Sequence, residues 1–185
     1  MQSLSDEQLL EQLRLGSPSA FGQLYQRYKH RVYAYCYRLV RDAQSAEDAM
    51  QETFLKIHHN LHLLQKPEMF RPWLFSIARN EAYTHLRRTR HVEDIENQEE
   101  IVWEENNPLE AVIERDTKDI IQHYLGLLKP HYRELLILCE YEQLSYMEIA
   151  RITGLTKSAV KSGLFKARKA LGKKLEPILN ERSRQ

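Results

Sequence analysis

The sequence predicts an all-α protein made of two small helical domains joined by a flexible acidic linker. Three observations carry that prediction. Glycine is scarce, with 6 in 185 residues, and β-branched runs are absent. Apolar residues recur at helical spacing through most of the chain. Charge is segregated: residues 1–90 carry 13 Lys or Arg and 9 Asp or Glu, residues 91–116 carry 1 and 10, and residues 117–185 carry 13 and 7. The formal net charge of +1 therefore hides two basic ends around an acidic middle, an asymmetry that suggests a nucleic-acid partner. The expected domains are 1–90 and 111–185, with 91–110 between them.

Ser5 and Gln8 form a capping box. Leu9, Leu10 and Leu13 give the first short helix an apolar side before Gly16 ends it. Ser17 and Pro18 are an N-cap and N1 pair opening a long second helix. Its apolar face runs through Phe21, Leu24, Tyr25, Tyr28, Val32, Tyr35, Cys36 and Leu39, with Arg27, Lys29, Arg31 and Arg38 on the rest. Ser45 is expected to cap a third helix with Asp48 at N3, and Ala46, Met50, Phe54, Ile57 and Leu61 face inward. Asp48, Gln51 and Glu52 share the other side. Acids there also suit the helix dipole, which alone could explain them. Residues 62–69 read as a loop. Pro72 starts a fourth helix from 73 to about 88, with Trp73, Leu74, Ile77, Ala78 and Leu86 inward. Ser76, Arg79, Asn80, Tyr83 and Arg87 share an exposed face, with Phe70 and Phe75 nearby. Cations interleaved with aromatics suit single-stranded or melted DNA; a helical core with a basic rim is the equal alternative.

Residues 91–110 are dominated by acids with little periodic apolar pattern and read as a linker. Roughly 20 extended residues at ~3.3–3.6 Å each span at most ~65–70 Å. That exceeds one ~34–36 Å turn of DNA. From Leu109, helical spacing resumes through Val112, Ile113, Ile120, Ile121, Tyr124, Leu125 and Leu128. Lys129-Pro130 punctuates, and Tyr132, Leu135, Leu136, Leu138 and Cys139 build the next helix. Ser145 and Glu148 form a second capping box, followed by Ile149, Ala150 and Ile152. Gly154 supplies a tight turn, and Thr156 caps a further helix. There Val160, Leu164, Ala167 and Leu171 form one buried stripe. Lys157, Ser158, Lys161, Ser162, Lys166, Arg168 and Lys169 are left outside. Residues 156–174 hold seven Lys or Arg and no acid. A cationic helix behind a supporting helix is the geometry of a major-groove reader. An ordinary helical hairpin with a solvated basic face is the alternative.

Several function classes are disfavoured. No run of 18 apolar residues exists, so no transmembrane helix is expected, and the acidic, polar start is not a signal peptide. Cys36 and Cys139 read as reduced core thiols, consistent with a cytoplasmic protein; a disulfide between them is the lesser alternative. No nucleophile–base pair, phosphate-cradling glycine loop or CxxC appears, so no enzyme and no cofactor are expected. His58 and His62 lie at i and i+4 with His59 beside them, a spacing that can place two metal ligands on one helix face. No third ligand is evident, and exposed histidines beside a loop, with no metal, are the favoured reading. A stand-alone helix-turn-helix regulator is the other rival; it would leave the Asp48-Gln51-Glu52 cluster and the WLFSIARN stretch unexplained.

Two basic helical modules around an acidic tether resemble the extracytoplasmic-function (group 4) bacterial RNA polymerase sigma factors over nearly the whole chain. SAEDAMQETFLKIHHNL resembles the polymerase-binding segment of sigma region 2. The resemblance implies that Asp48, Gln51, Glu52 and Phe54 dock on the β′ clamp coiled coil of core polymerase. FRPWLFSIARNEAYTHLRR resembles the segment that melts and reads the −10 promoter element, implying DNA contacts for Arg71, Trp73, Arg79, Asn80, Tyr83, Arg87 and Arg88. Residues 62–69 stand where the family captures a flipped-out base. LKPHYRELLILCEYEQLSYMEIARITGLTKSAVKSGLFKARKAL resembles region 4, which reads the −35 element and meets the β flap. It implies DNA contacts for Thr156, Lys157, Ser158, Lys161, Ser162, Lys166, Arg168 and Lys169. The resemblance further implies promoter DNA and an anti-sigma factor as partners, with no membrane insertion. Two positions depart from the family pattern: Thr84 stands where an acid or amide is usual, and Gly163 where an arginine is common.

Overall fold

The computed structural model describes residues 4–96 and 117–182, and among these there is no β-strand. Helix α1 (Asp6–Arg14) is fixed by both halves of its capping box. Ser5 N donates to Gln8 Oε1 at 2.8 Å, and Gln8 N donates to Ser5 Oγ at 3.2 Å. Helix α2 (Pro18–Val40) has Pro18 in its first turn, where the missing N–H costs nothing. Ser17 occupies the cap position, but its hydroxyl pairs with Ser19 instead of capping the backbone.

Helix α3 (Ala43–Asn60) begins two residues before the expected cap. Asp42, not Ser45, is the N-cap, and Ser45 N donates to its carboxylate at 2.7 Å. That hydrogen bond holds the Asp42 carboxyl below its ordinary range, the usual signature of a charged N-cap. Asp48 is consequently beyond the capping turn and accepts from Gln44 Nε2 at 2.9 Å. Two 3₁₀ turns, Leu61–Leu63 and Pro67–Met69, lead into α4 (Phe70–Glu96). Helix α4 starts three residues before 73 and runs past 88 into the acidic stretch, so the first six residues of the expected linker are helical. Glutamate and arginine are good helix formers, and nothing between Arg88 and Glu96 breaks the turn.

The second unit comprises α5 (Thr117–Gly126), α6 (Pro130–Leu136), a five-residue π segment (Ile137–Tyr141), α7 (Tyr146–Thr153) and α8 (Lys157–Arg182). The helical expectations for Leu109, Val112 and Ile113, and most of the expected linker, fall outside the described residues. Ser145 and Glu148 close the second capping box at 2.7 and 3.3 Å. Gly154 ends α7 at φ 74°, a left-handed conformation that glycine adopts without strain. Thr156 Oγ1 then accepts from Ala159 N at 3.1 Å and starts α8.

Buried apolar side chains of the two units form one continuous cluster. In the first unit Leu24, Val32, Tyr35, Leu39, Ile57, Leu74 and Phe75 lie at its centre. In the second, Ile149, Val160, Leu164 and Ala167 lock α7 and α8 together, as the stripe predicts, while Leu171, its expected fourth member, is only half-buried. Gly163 faces inward: a Cβ there would lie 2.5 Å from Leu135 Cδ1. The position is therefore occupied by helix packing, so an arginine here would be aimed at α6. Arg133 is buried and donates to Leu125, Gly126 and Leu128 carbonyls at the end of α5, and across the units to Leu39 O at 2.7 Å.

Candidate nucleic-acid interface

The outer face of α8 is built by exclusion. Val160, Leu164 and Ala167 turn one side inward, which puts Thr156, Lys157, Ser158, Lys161, Ser162, Lys166, Arg168 and Lys169 on the exposed side. Arg168 is the one of these with an ion pair, donating to Glu140 at 2.6 Å. Thr156 also serves as the cap, so its hydroxyl is shared with the backbone. Phe165 is 69% exposed in the middle of this face, between Lys161 and Lys169. The sequence reading omitted it, although it falls outside the stripe of Val160 and Leu164. An exposed aromatic amid cations can make apolar contact with a thymine methyl, while lysines bridge to phosphates or guanine edges.

The outer face of α4 is arranged differently. Asn80, Arg87 and Arg88 are exposed, and Trp73 is half-buried. Arg79 and Tyr83 lie one turn apart, with the Arg79 guanidinium 4.6 Å from the Tyr83 ring centre. Both are engaged by Glu134 of α6, which is 2% exposed. Arg79 Nε donates to Glu134 Oε1 at 2.7 Å and Tyr83 Oη donates to Glu134 Oε2 at 2.9 Å. Tyr35 Oη adds a third bond to Oε1 at 3.2 Å. Burial, then the Glu134 charge, hold the Tyr83 phenol well above its ordinary value of 10.0. Arg71 is likewise taken, donating to the backbone carbonyl of Glu142. Phe70 and Phe75, read as aromatics near this face, are in the core at 1% and 0% exposure and cannot stack on bases.

Between residues 63–69 and α4 lies a cleft of about 310 Å³, with Leu63, Met69, Trp73 and Ser76 on its wall and Arg151 of α7 at its edge. Arg151 Nη1 approaches Met69 Sδ at 3.2 Å, so α7 reaches across to this loop.

On α3, Gln51 and Glu52 are exposed and Asp48 partly so. Phe54, expected in the same surface, is 5% exposed and packs edge-on against Tyr25 at 4.8 Å. The inward stripe of Ala46, Met50 and Ile57 claims it. Leu55, 53% exposed and one turn from Gln51, supplies the apolar group of this face.

His58 packs edge-on to Phe21 at 5.0 Å, and no group of three or more potential metal ligands occurs among the described residues. Cys36 and Cys139 are free thiols, and burial pushes Cys36 up to about 12. No helix among the described residues is long and apolar enough to cross a membrane.

Comparison with known proteins agrees with this geometry. Residues 24–92 match Sigma-70 region 2, and residues 118–171 match Sigma-70, region 4. The chain is 32% identical to the RNA polymerase sigma-H factor of Pseudomonas aeruginosa, covering 95% of this chain and 96% of that protein. It is 30% identical to the ECF RNA polymerase sigma-E factor of Salmonella typhimurium, covering 96% and 98%. Among solved structures, the sigma factor RpoE from Bartonella quintana, in complex with the anti-sigma factor NepR, superposes with a TM-score of 0.68. It shares 27% identity and covers 84% of this chain and 96% of that one. With an open cationic helix behind α7 and both sigma regions in order, the chain belongs to the extracytoplasmic-function group of the sigma-70 family of RNA polymerase sigma factors.

Proposed function

We infer that this sigma factor divides its task of directing RNA polymerase to promoters among three surfaces. Asp48, Gln51 and Glu52, with Leu55 in place of Phe54, dock on the β′ clamp coiled coil of core polymerase. The α4 face, with Arg71, Trp73, Arg79, Asn80, Tyr83, Arg87 and Arg88, holds the melted −10 strand. Unstacking a base costs a few kcal/mol, and stacking on an aromatic returns ~1–3 kcal/mol. The α8 face reads the −35 duplex through Lys157, Ser158, Lys161 and Ser162, while Lys166, Arg168 and Lys169 hold phosphates. Residues 1–90 and 111–185 form the region 2 and region 4 units, and the second also meets the β flap.

The observation that carries this reading is the exposed face of α8, acid-free through residue 174 and presented by a capped α7 and the Gly154 turn. The chain has no catalytic role of its own in this scheme and works where the polymerase does, in the cytoplasm. The complex of Bartonella quintana RpoE with NepR supports an anti-sigma factor as the regulator here too.

Transcription with purified core polymerase on genomic fragments, with and without the chain, tests the reading. Discrete new start sites sharing −35 and −10 sequences support it. DNA binding with no new start sites replaces it with a stand-alone helix-turn-helix regulator.

A further inference from the structure

We propose that the recess between the ends of α2 and α5 binds the phosphate of a small nucleoside phosphate, with the base laid on Tyr37. The site is separate from the three surfaces assigned above and does not rest on them.

The recess holds about 180 Å³ and is lined by Tyr37, Arg38, Arg41, Gln122 and His123. Each of these side chains can donate a hydrogen bond, and none is an acid. Asp42, next in sequence, engages its carboxylate at the start of α3. Glu142 senses the Arg38 charge but hydrogen-bonds Arg31. Two guanidinium groups without a carboxylate among them suit a phosphate, whose oxygens match their fork.

Both arginines are set in place. Arg41 ends α2 at φ 65°, a left-handed position where glycine is the usual residue. An arginine held in so unfavourable a conformation points to a role for its side chain. Its guanidinium lies against Gly126, where a Cβ would fall 2.6–2.9 Å from three of its atoms, and Nη1 donates to Gly126 O at 3.2 Å. The Arg38 guanidinium lies over the Tyr141 ring at 4.1 Å, and its buried Nε has no hydrogen-bond partner among the described residues. Stacking engages the face of a guanidinium and leaves the donors at its edge for an anion. The plainer account is that these cations only satisfy carbonyls at helix ends. It explains the Gly126 bond of Arg41 and leaves Arg38 without a purpose.

Size and surroundings narrow the ligand. Sites for drug-sized molecules hold roughly 300–1,000 Å³, so this recess takes a phosphate and leaves the rest of the ligand at its mouth. There Tyr37 is 45% exposed, with its ring within 12° of parallel to that of Tyr33. A base can stack on such a ring, and stacking is tolerant of which base it is. The site therefore selects for the phosphate more than for the base.

Isothermal titration of the full chain with ADP, inorganic pyrophosphate and adenosine tests the proposal. ADP should bind saturably, pyrophosphate more weakly, and adenosine not at all. Arg41→Gly removes the guanidinium at a backbone conformation that glycine adopts freely. It should weaken ADP binding about tenfold or more, the loss of one hydrogen bond to a charged group. Tyr37→Ala should weaken ADP binding and leave pyrophosphate binding unchanged. Absence of saturable binding by ADP and pyrophosphate up to about 1 mM overturns the proposal. So does wild-type ADP affinity in Arg41→Gly with intact helical circular dichroism. Wild-type ADP affinity in Tyr37→Ala overturns the placement of the base, and with it the nucleotide. A 5′-phosphorylated single strand that displaces ADP at lower concentration than ADP itself overturns the choice of a free nucleotide over a nucleic-acid end. Should Arg41→Gly lose its helical signal, Gly126→Ala is the second variant. Its methyl group displaces the Arg41 guanidinium, and the same ADP titration decides.

Discussion

Helices α4 and α8 both carry cations alongside an apolar stripe, yet one outer face is open and the other is occupied. On α8, Lys157, Lys161, Lys166 and Lys169 project into solvent beside Phe165. On α4, Arg79 and Tyr83 are turned onto Glu134, which lies 55 and 51 residues further along the chain. A helix's own pattern tells what it can bind. Whether it is free to bind is decided by what the rest of the chain lays over it.

The comparison can be broken most forcefully on the open side. Leu164 is fully buried on the inner side of α8. Leu164→Ala should cost about 2–5 kcal/mol. It should lower the thermal midpoint and abolish −35 duplex binding; a midpoint equal to wild type would show that the stripe does not hold the reading helix in place. Next in size is Lys161→Ala, which should weaken promoter-duplex binding by about 1–3 kcal/mol if Lys161 reads a base edge. Single-strand binding should not move, and a parallel loss in both would mean that α8 is a general cationic surface. Smaller still is Tyr83→Phe, which keeps the ring and removes one bond to Glu134. A neutral donor is worth about 1 kcal/mol and one to a charged group somewhat more. The α4–α6 contact should loosen, seen as a lower thermal midpoint, while transcription from melted promoters persists.

The smallest effect concerns pH. Burial, opposed by Arg31, holds the Glu142 carboxyl above its ordinary value of 4.5. The folded state therefore binds this proton more tightly than the unfolded chain. The stability that Glu142 contributes is full below pH 4.5 and is lost as pH rises through its raised value. Thermal midpoints measured from pH 4 to 7 should show the wild type losing ground to Glu142→Gln as pH rises. A constant difference would mean that the Arg31 pair cancels burial, and a wild type that gains ground would mean that it outweighs it.

Much of the fold was legible because its signals are local. Both capping boxes, the Gly154 turn and the Val160–Leu164–Ala167 stripe use residues within a few turns of one another, and each formed as expected. Start points were less legible: Asp42, three residues before Ser45, is the cap, and its carboxylate accepts from the backbone N–H of Ser45 itself, which places Ser45 inside the first turn. The end of α4 was hidden by composition, since acids read as linker also propagate helix. Among site residues, the inward stripe of α3 already argued that Phe54 was core and Leu55 was surface, and the stripe of α8 argued the same for Phe165. Glu134 left no such trace. It is one acid in the run HYRELL, and its donors come from α2 and α4, across a separation over which periodicity carries no information.

The π segment from Ile137 to Tyr141 has an evolutionary consequence. Such a bulge is one residue more than an α-helix needs for the same rise. Substitutions that restored regular α-helical pitch over the same five residues would swing Glu142 by about 100° around the axis. Its carbonyl would leave Arg71 and its carboxylate would leave Arg31. Lineages carrying such substitutions would differ in how tightly the two halves adhere, with every promoter-reading side chain unaltered.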